Sequence, residues 1–355
     1  MKRDKETSSD GLRNSLPMRT KVNKISVTLS LAVLLTTLFL DRKYEESYTH
    51  RQEESVGPRP EVPTFKVDSA YLFIQQQVNF GPRVPNTAAH RACAAYLQTT
   101  LQRFGGKVQV QAFTTKAFNG KLLHLQNIIA SFNTTCSKRI LLAAHWDTRP
   151  FADKGVLHQD LPIDGANDGA SGVGVLLEIA RIISQIAPST VGVDIIFFDG
   201  EDYGEPHGYS KSIANNTIFW CLGSQHWSKH KHQKNYTAAY GILLDMVGAA
   251  DATFYREHYT MYYAPKIARK VWDKANQLGH GQYFIPQNSK GLIWDDHLFV
   301  NTDARIPMIN IIDHAPGSDD FFPAYHHTHE DKLQLIDKKT LKAVGETLLY
   351  VIYEE

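Results

Sequence analysis

Cysteine is scarce in this chain of 355 residues, where Cys93, Cys136 and Cys221 are the only three. No pair has the two-residue spacing of a thiolate zinc site, and three are too few for a disulfide framework. One bridge is possible, but buried free thiols are the simpler interpretation. Charge of one sign is lacking too, because 38 Lys and Arg balance 37 Asp and Glu to a net charge of +1. The chain therefore has no electrostatic signature of a nucleic-acid-binding protein.

The sequence also lacks the motifs of several enzyme classes. No Gly-x-Ser-x-Gly segment occurs, and no cysteine stands in a catalytic context. A glycine-rich loop at 164–172 precedes an apolar helical segment, as in phosphate-binding loops. It has no P-loop lysine, and Asp168 in its middle would repel phosphate. These absences argue against a serine or cysteine nucleophile and against a P-loop nucleotide site.

One long uncharged run stands near the N-terminus. Residues 1–24 are polar and basic, residues 25–40 carry no charge, and 41–66 are charged and then proline-rich. As a helix the run spans about 24 Å at about 1.5 Å per residue, slightly less than a hydrocarbon core of about 30 Å. No A-x-A-like site follows it, so we expect an uncleaved signal anchor more than a cleaved signal peptide. The preceding basic residues predict a cytoplasmic tail, a stalk over 41–66 and a membrane-anchored or secreted domain on the non-cytoplasmic side.

From residue 67 onward, apolar segments with strand and helix periodicity alternate. We expect helices over 68–78, 87–104 (with Asn86 as the N-cap), 171–185, 224–231, 265–278 and 338–353. Strands are predicted over 108–113, 122–132, 139–144, 193–198, 240–245 and 306–312. This alternation predicts a single three-layer α/β/α domain with a mixed, largely parallel central sheet over residues 67–355.

Acidic and histidine side chains follow the predicted strands or lie in the loops between them. They come from six segments, and parallel strands would bring several of them to one edge of the sheet. Oxygen and imidazole donors without thiolates suit a catalytic zinc ion, which keeps one coordination position open. The candidates are His145 and Asp147, Asp168, Glu201 and Asp202, Asp245, Asp295 to His297, and His326 to Asp331.

Taken together, these segments resemble the zinc-dependent aminopeptidase clan and, within it, the glutaminyl cyclases (glutaminyl-peptide cyclotransferases). The resemblance covers roughly residues 67–355 and is closest to bacterial members of the animal-like type. The segments that carry it are Ala144-His-Trp-Asp-Thr-Arg-Pro150, Asn167-Asp-Gly-Ala-Ser-Gly172, Phe197-Phe-Asp-Gly-Glu-Asp202, Leu222-Gly-Ser-Gln225, Leu244-Asp-Met-Val-Gly248, Asp295-Asp-His297 and His327-Thr-His-Glu-Asp331.

The resemblance implies an enzyme that converts the N-terminal glutamine of peptides to pyroglutamate with release of ammonia, and glutamate more slowly. It implies one zinc ion on Asp168, Asp202 and His327. Glu201 would be the general base and acid, and Asp245 and Asp295 would share protons with it. Substrates would be peptides or proteins that begin with glutamine or glutamate.

The sequence departs from the family at two positions of the site. Asp202 stands where animal members have glutamate, and its shorter side chain shifts either the metal or the strand end. His326 replaces the usual tryptophan, so that His326, and also His329, are additional candidate ligands. We further expect four aromatic residues to line a dry pocket: Trp146, Trp294, Phe321 and Phe322.

Two other functions remain open at this stage. His145, Asp168, Asp202, Asp245 and His327 could hold two metal ions, which would suit a dinuclear zinc aminopeptidase. A membrane-anchored binding module on an inactive peptidase fold is the third possibility. It would be expected to lack Glu201 or a metal ligand, and all of them are present.

Overall fold

The central strands are apolar at every position because both faces of the sheet are covered. A computed structural model describes residues 61–209, 218–318 and 321–355. Along the third strand, Ile140, Leu142 and Ala144 enter one hydrophobic core, and Leu141 and Ala143 enter another on the opposite face. Side chains alternate between the faces of a strand, so a doubly covered strand needs an unbroken apolar run.

Six strands form the main sheet, in the order β1-β2-β4-β3-β5-β8. β4, β3, β5 and β8 run parallel, and β2 is antiparallel to both of its neighbours. β6 and β7 form a small separate parallel pair. The strands are β1 (Lys107–Lys116), β2 (Leu122–Phe132), β3 (Arg139–His145), β4 (Gly192–Phe198), β5 (Tyr240–Asp245), β6 (Phe254–Arg256), β7 (Phe284–Asn288) and β8 (Met308–Ile312).

Helices cover the two faces unequally. The larger core joins the sheet to α1, α2, α3, α6 and α8, and the smaller core joins it to α4 and a π-helical turn over Val300–Ala304. The three-layer α/β/α prediction is therefore confirmed. The helices are α1 (Val67–Val78), α2 (Ala88–Arg103), α3 (Ala170–Gln185), α4 (Leu222–Lys229), α5 (His258–Tyr263), α6 (Pro265–Gln277), α7 (Asp296–Phe299) and α8 (Lys338–Tyr353).

Local chemistry explains three shifted boundaries. The N-cap of α2 is Thr87, whose hydroxyl accepts the His90 N–H at 3.1 Å, and not the predicted Asn86. Asn86 has a φ of 76°, and its side chain bonds the backbone of β2 instead. β8 begins at Met308 and not at 306, since Pro307 has no N–H to give to a ladder. α4 begins at Leu222, directly after Cys221 in a left-handed conformation with φ 57°.

The N-terminal predictions lie outside the described residues. These are the basic tail, the signal anchor over 25–40 and most of the stalk. At the end of the predicted stalk, Phe65 is buried in the larger core and Val62 packs against it. Among residues 61–209, 218–318 and 321–355, no helix combines the length and apolar composition needed to cross a bilayer. The three cysteines are unpaired, and Cys93 and Cys221 are buried.

Candidate active site

The carboxyl ends of three adjacent parallel strands supply the core of the site. β3 ends on His145 and β5 ends on Asp245. β4 lies on the other side of β3 and runs into Asp199-Gly200-Glu201-Asp202. Gly200 has a φ of 71°, so the chain turns sharply there, in a conformation that favours glycine. The turn sends Glu201 and Asp202 to different neighbours.

Asp168, Asp202 and His327 converge, as the sequence predicted they would if they bind one ion. His327 Nε2 lies 3.2 Å from Asp202 Oδ1 and 3.7 Å from Asp168 Oδ2. Asp168 comes from the loop before α3, and His327 from the segment before α8. Three distant segments therefore bring two carboxylates to within 4 Å of one imidazole nitrogen.

The donor set fits zinc. Both oxygens of Asp202 are buried without a hydrogen-bond partner, although Arg149 Nη1 lies 3.5 Å from Oδ1, and a bound metal ion would lower the cost of burying them. Burial, with a contribution from Arg149, lowers the pKa of His327 to about 3, so its imidazole is neutral and able to ligate. Oxygen and nitrogen donors without thiolate are the set expected for a catalytic zinc. Asp168, Asp202 and His327 are thus the residues that would hold the ion.

His326 and His329 differ in their relation to this point. His326 places a ring nitrogen within 4.8 Å of donor atoms of Asp168 and His327. Its Nδ1 also lies 2.9 Å from Lys154 Nζ, and a lysine ammonium can only donate. His329 turns outward, with its Nε2 3.1 Å from the carbonyl of His158. His326 therefore belongs to the pocket and His329 does not.

His145 occupies the position next to the predicted zinc ligands. Its Nε2 lies 3.0 Å from Asp168 Oδ1 and 3.3 Å from Asp245 Oδ1. Burial by itself would lower the pKa of His145, but hydrogen bonds to Asp147, Asp168 and Asp245 raise it well above its usual value. The three carboxylates around the imidazole therefore favour its protonated form.

Glu201 faces Cys221 and Asp295. Its Oε1 accepts a hydrogen bond from the Cys221 thiol at 3.2 Å, and donor atoms of Glu201, Cys221 and Asp295 lie within 4.8 Å of one another. Burial raises the pKa of Glu201 well above its usual value, and the negative charge of Asp295 adds to the effect. Burial likewise raises the pKa of Asp245 to about 7. Asp295 is fixed by Asn310, whose Nδ2 donates to Oδ2 at 2.6 Å.

Arg149 lies at the site, although no role was predicted for it from the sequence. The Arg149 guanidinium is fully buried and pairs with both oxygens of Asp153 at 2.7 Å. It also donates to the Asp202 carbonyl at 3.0 Å. Asp153 Oδ1 in turn lies 3.7 Å from Nδ1 of His327. The His-Trp-Asp-Thr-Arg segment was a usable signal, since Arg149 lies within four residues of His145.

A cavity of about 440 Å³ opens onto these groups. Glu201, Asp245 and Asp295 line it together with Trp294 and Phe322, as predicted for the two aromatic residues. Phe321 instead packs beside the cavity against the Met246–Ile293–Ile312 cluster. The prediction for Trp146 is wrong, because its ring is fully buried behind the site and stacks on His90 at 4.4 Å. The remaining apolar wall consists of Trp220, Met246, Leu292, Ile293 and Ile312.

Sequence and structure comparisons connect this geometry to known proteins. A profile of peptidase family M28 matches residues 127–352. The crystal structure of Tannerella forsythia glutaminyl cyclase is 51% identical, with a TM-score of 0.79, and the match covers 82% of this chain and 100% of that one. The chain belongs to peptidase family M28, within its glutaminyl cyclases.

Two further M28 relatives widen the comparison. A Zn-dependent exopeptidase structure from Parabacteroides distasonis is 50% identical with a TM-score of 0.80, over 83% of this chain and 100% of that one. The glutaminyl-peptide cyclotransferase of Drosophila melanogaster is 28% identical over 73% of each chain. Membership of this zinc-dependent family agrees with the donor set at Asp168, Asp202 and His327.

Proposed function

We propose that this chain cyclises the N-terminal glutamine of peptides and proteins to pyroglutamate and releases ammonia, and that it acts more slowly on glutamate. The observation that carries the proposal is the position of Glu201. It is a buried carboxyl of raised pKa that lines the same cavity as Asp168 and His327 and directly precedes Asp202 in the chain. Relatives about half identical to this chain that are named glutaminyl cyclases support the same reaction.

The reaction requires one proton to be moved between two nitrogen atoms of the substrate. The α-amine attacks the γ-carbonyl carbon, a new C–N bond forms, and the bond to the amide nitrogen breaks. The attacking nitrogen loses a proton and the departing nitrogen gains one before it leaves as ammonia. Glu201 is suited to both transfers, since a carboxyl whose pKa burial raises well above its usual value can take up a proton and return it. Asp295, whose pKa burial also raises, would share that proton.

Asp168, Asp202 and His327 would hold one zinc ion. When bound, the ion supplies a Lewis acid for the γ-carbonyl oxygen of glutamine. The chain's own contribution is to keep the peptide end folded back on itself, because an intramolecular attack gains most from orientation. The apolar wall formed by Ile293, Trp294 and Phe322 would exclude water, so that hydrolysis does not compete.

The second candidate is a dinuclear zinc aminopeptidase. Donor atoms of His145, Asp168 and Asp245 lie within 4.8 Å of one another, as a second metal site would require. His145 Nε2 contacts both carboxylates, at 3.0 and 3.3 Å, much as His327 Nε2 contacts Asp202 and Asp168 at 3.2 and 3.7 Å. What favours the cyclase is that relatives about half identical to this chain are named glutaminyl cyclases.

Mass spectrometry of one peptide separates the candidates. The purified chain would be incubated with zinc and a short peptide that begins with glutamine. Loss of ammonia from an otherwise intact peptide is expected. Release of the first residue would establish an aminopeptidase instead, and an unchanged peptide with zinc bound would revive the binding-module hypothesis.

We also propose that residues 25–40 anchor the enzyme, with the catalytic domain on the non-cytoplasmic side of the membrane. This rests on the uncharged run and the basic residues that precede it. Protease treatment of intact cells or spheroplasts should digest the domain, and the anchored form should sediment with membranes. Protection from the protease until the membrane is lysed would reverse the orientation.

A further inference from the structure

The backbone that carries Asp168 lies between two buried side chains of opposite charge. Asp331 is fully buried, and each of its carboxylate oxygens accepts one N–H of the loop. Oδ1 accepts from Asn167 at 2.7 Å, and Oδ2 accepts from Asp168 itself at 3.0 Å. Burial raises the pKa of Asp331 to about 8, but an N–H donated to each oxygen favours the ionised carboxylate. Asp331 therefore fixes the peptide unit from which the Asp168 side chain extends.

Arg83 holds the same loop from its carbonyl side. Its guanidinium is fully buried and donates from Nη2 to the Gly165 carbonyl at 2.7 Å, and from Nη1 to that of Asp164. Gly165 and Gly169 have φ values of 57° and 94°, which glycine adopts more readily than other residues. Arg83 thus binds the carbonyls of the loop, and Asp331 binds its amides.

The other predicted carboxylate ligand is held in a similar way. Asp147 is fully buried, and its Oδ1 and Oδ2 accept the N–H groups of Glu201 and Asp202 at 3.1 and 3.3 Å. At both ligands, a buried aspartate therefore accepts two consecutive amides, the second being that of the ligand.

We propose that Asp331 and Arg83 are positioning residues of the metal centre, which set the affinity for zinc by fixing the direction of Asp168. This rests on the assignment of Asp168 as a ligand in the proposed function. Asp331 stands four residues after His327, and Asn167 also donates to the Tyr325 hydroxyl at 2.8 Å. Asp331 and Arg83, called the clamp below, therefore join the Asp168 loop to the segment that carries His327, so that these two ligands move as one unit.

Zinc binding by the full-length chain tests the clamp separately from catalysis. The metal would be removed with a chelator, and zinc chloride would be titrated back against a chromophoric competitor near neutral pH. Asp331→Asn places an amide N–H against a backbone N–H, and Arg83→Lys keeps the charge but cannot hold two carbonyls in the same fork geometry. Each should raise the Kd for zinc about 10- to 100-fold, the usual effect of removing a group that orients a ligand.

Two reference variants make the result specific. Asp337→Asn is the same chemical change at the exposed N-cap of α8, where the carboxylate also accepts a backbone N–H at 2.7 Å. Its Kd should stay within about twofold of the parent's, because asparagine caps helices as well as aspartate does. Asp168→Ala should lose zinc. If it binds zinc as tightly as the parent, the ligand assignment is wrong, and the clamp inference with it.

If Asp331 only stabilised the fold, the result would differ. Asp331→Asn would then lower the midpoint of thermal unfolding of the zinc-free protein and leave the Kd of the folded protein for zinc unchanged. If Asp331→Asn does not fold, Arg83→Lys decides the matter by the same titration. One result would overturn the inference and leave the proposed function intact. In that result Asp168→Ala loses zinc, but Asp331→Asn and Arg83→Lys both keep a Kd within about threefold of the parent's, a smaller change than removal of a ligand-orienting group causes.

Discussion

Replacement of Glu201 by glutamine removes one ionisable oxygen and keeps the size of the side chain. Glu201 is 8% exposed, so a smaller residue would leave a cavity and confuse loss of chemistry with loss of packing. Its Oε1 accepts the Cys221 thiol at 3.2 Å, and the amide oxygen of glutamine can accept the same bond. The variant should therefore fold and bind zinc while it loses the group that takes up and returns the proton.

The size of the loss follows from the two transfers that depend on this carboxyl. A positioned general acid or base contributes about 10²- to 10⁴-fold to a rate, which is about 3 to 5.5 kcal/mol at 1.36 kcal/mol for each factor of ten. The same carboxyl serves both nitrogens, so we expect Glu201→Gln to lower kcat near the upper end of that range. KM should change little, because neither the apolar wall nor the metal ligands are altered.

The assay is ammonia release from a peptide that begins with glutamine, with zinc content measured on the same samples. Glu205→Gln is the matched control, since Glu205 lines the same cavity and undergoes the same chemical change. The control should retain most of the activity. If Glu201→Gln with full zinc occupancy kept more than about a tenth of kcat, a loss far smaller than acid–base catalysis supplies, the assignment of proton transfer to Glu201 would be refuted.

Three further predictions concern the metal, a buried ion pair and the packing behind the site. His327→Ala should lose zinc and activity together, as elemental analysis and the ammonia assay would show; retained zinc would contradict its role. Glu257→Gln removes the negative charge from the buried 3.1 Å ion pair with His297 and should cost about 3 kcal/mol in urea unfolding. Burial alone would lower the His297 pKa, but Glu257 raises it, and His297 helps to lower that of Glu257 against burial. The loss of unfolding free energy should therefore be greatest between pH 4.5 and 6.5, the ordinary pKa values of Glu257 and His297. It should shrink as the pH rises through the folded-state pKa of His297, or falls through the folded-state pKa of Glu257. A loss that does not depend on pH would contradict this. Gly172→Ala brings a Cβ within 2.5 Å of the Leu244 carbonyl and should lower the free energy of unfolding by about 1–3 kcal/mol, whereas a gain would show that α3 can shift.

The sequence predicted the bounds of β2, β5 and α8 to the residue. β2 and β5 consist mainly of apolar runs, and α8 begins after Asp337, whose side chain accepts the Lys339 N–H. In these elements, the local signal and the tertiary environment agree. β6, with three residues, and β7, which contains Pro286, escaped prediction because short or proline-containing strands have no periodicity to detect.

The candidate residues of the site were predicted from a simple regularity, because polar groups that follow parallel strands meet at one sheet edge. The choice of Asp168, Asp202 and His327 as ligands came from the family resemblance alone. The groups that hold them could not be found in this way. Asp331 acts on backbone amides, and a side chain's contact with a distant main-chain group leaves no spacing pattern in the sequence. Trp146 was placed wrongly for a related reason, because the direction of its side chain depends on contacts that leave no pattern in the sequence. Its neighbours His145 and Asp147 face the site or brace it, while the indole turns back and donates to the Gln126 carbonyl at 3.3 Å.

The charges at this sheet edge explain why a metal belongs in it. Burial raises the pKa of several carboxyls there, and their mutual repulsion adds to the effect. His145 and Arg149 contribute positive charge at the same place. The excess of carboxylates over these cations is unfavourable in a dry interior unless protons or a cation compensate for it. A zinc ion on Asp168, Asp202 and His327 would neutralise part of this excess, while Glu201 could stay protonated or ionised according to the step. In the proposed mechanism, the fold would separate two uses of one acidic cluster: carboxylates around Asp168 would bind the metal, and those around Asp295 would keep a proton mobile. The cluster comprises Asp147, Asp168, Glu201, Asp202, Asp245, Asp295 and Asp296.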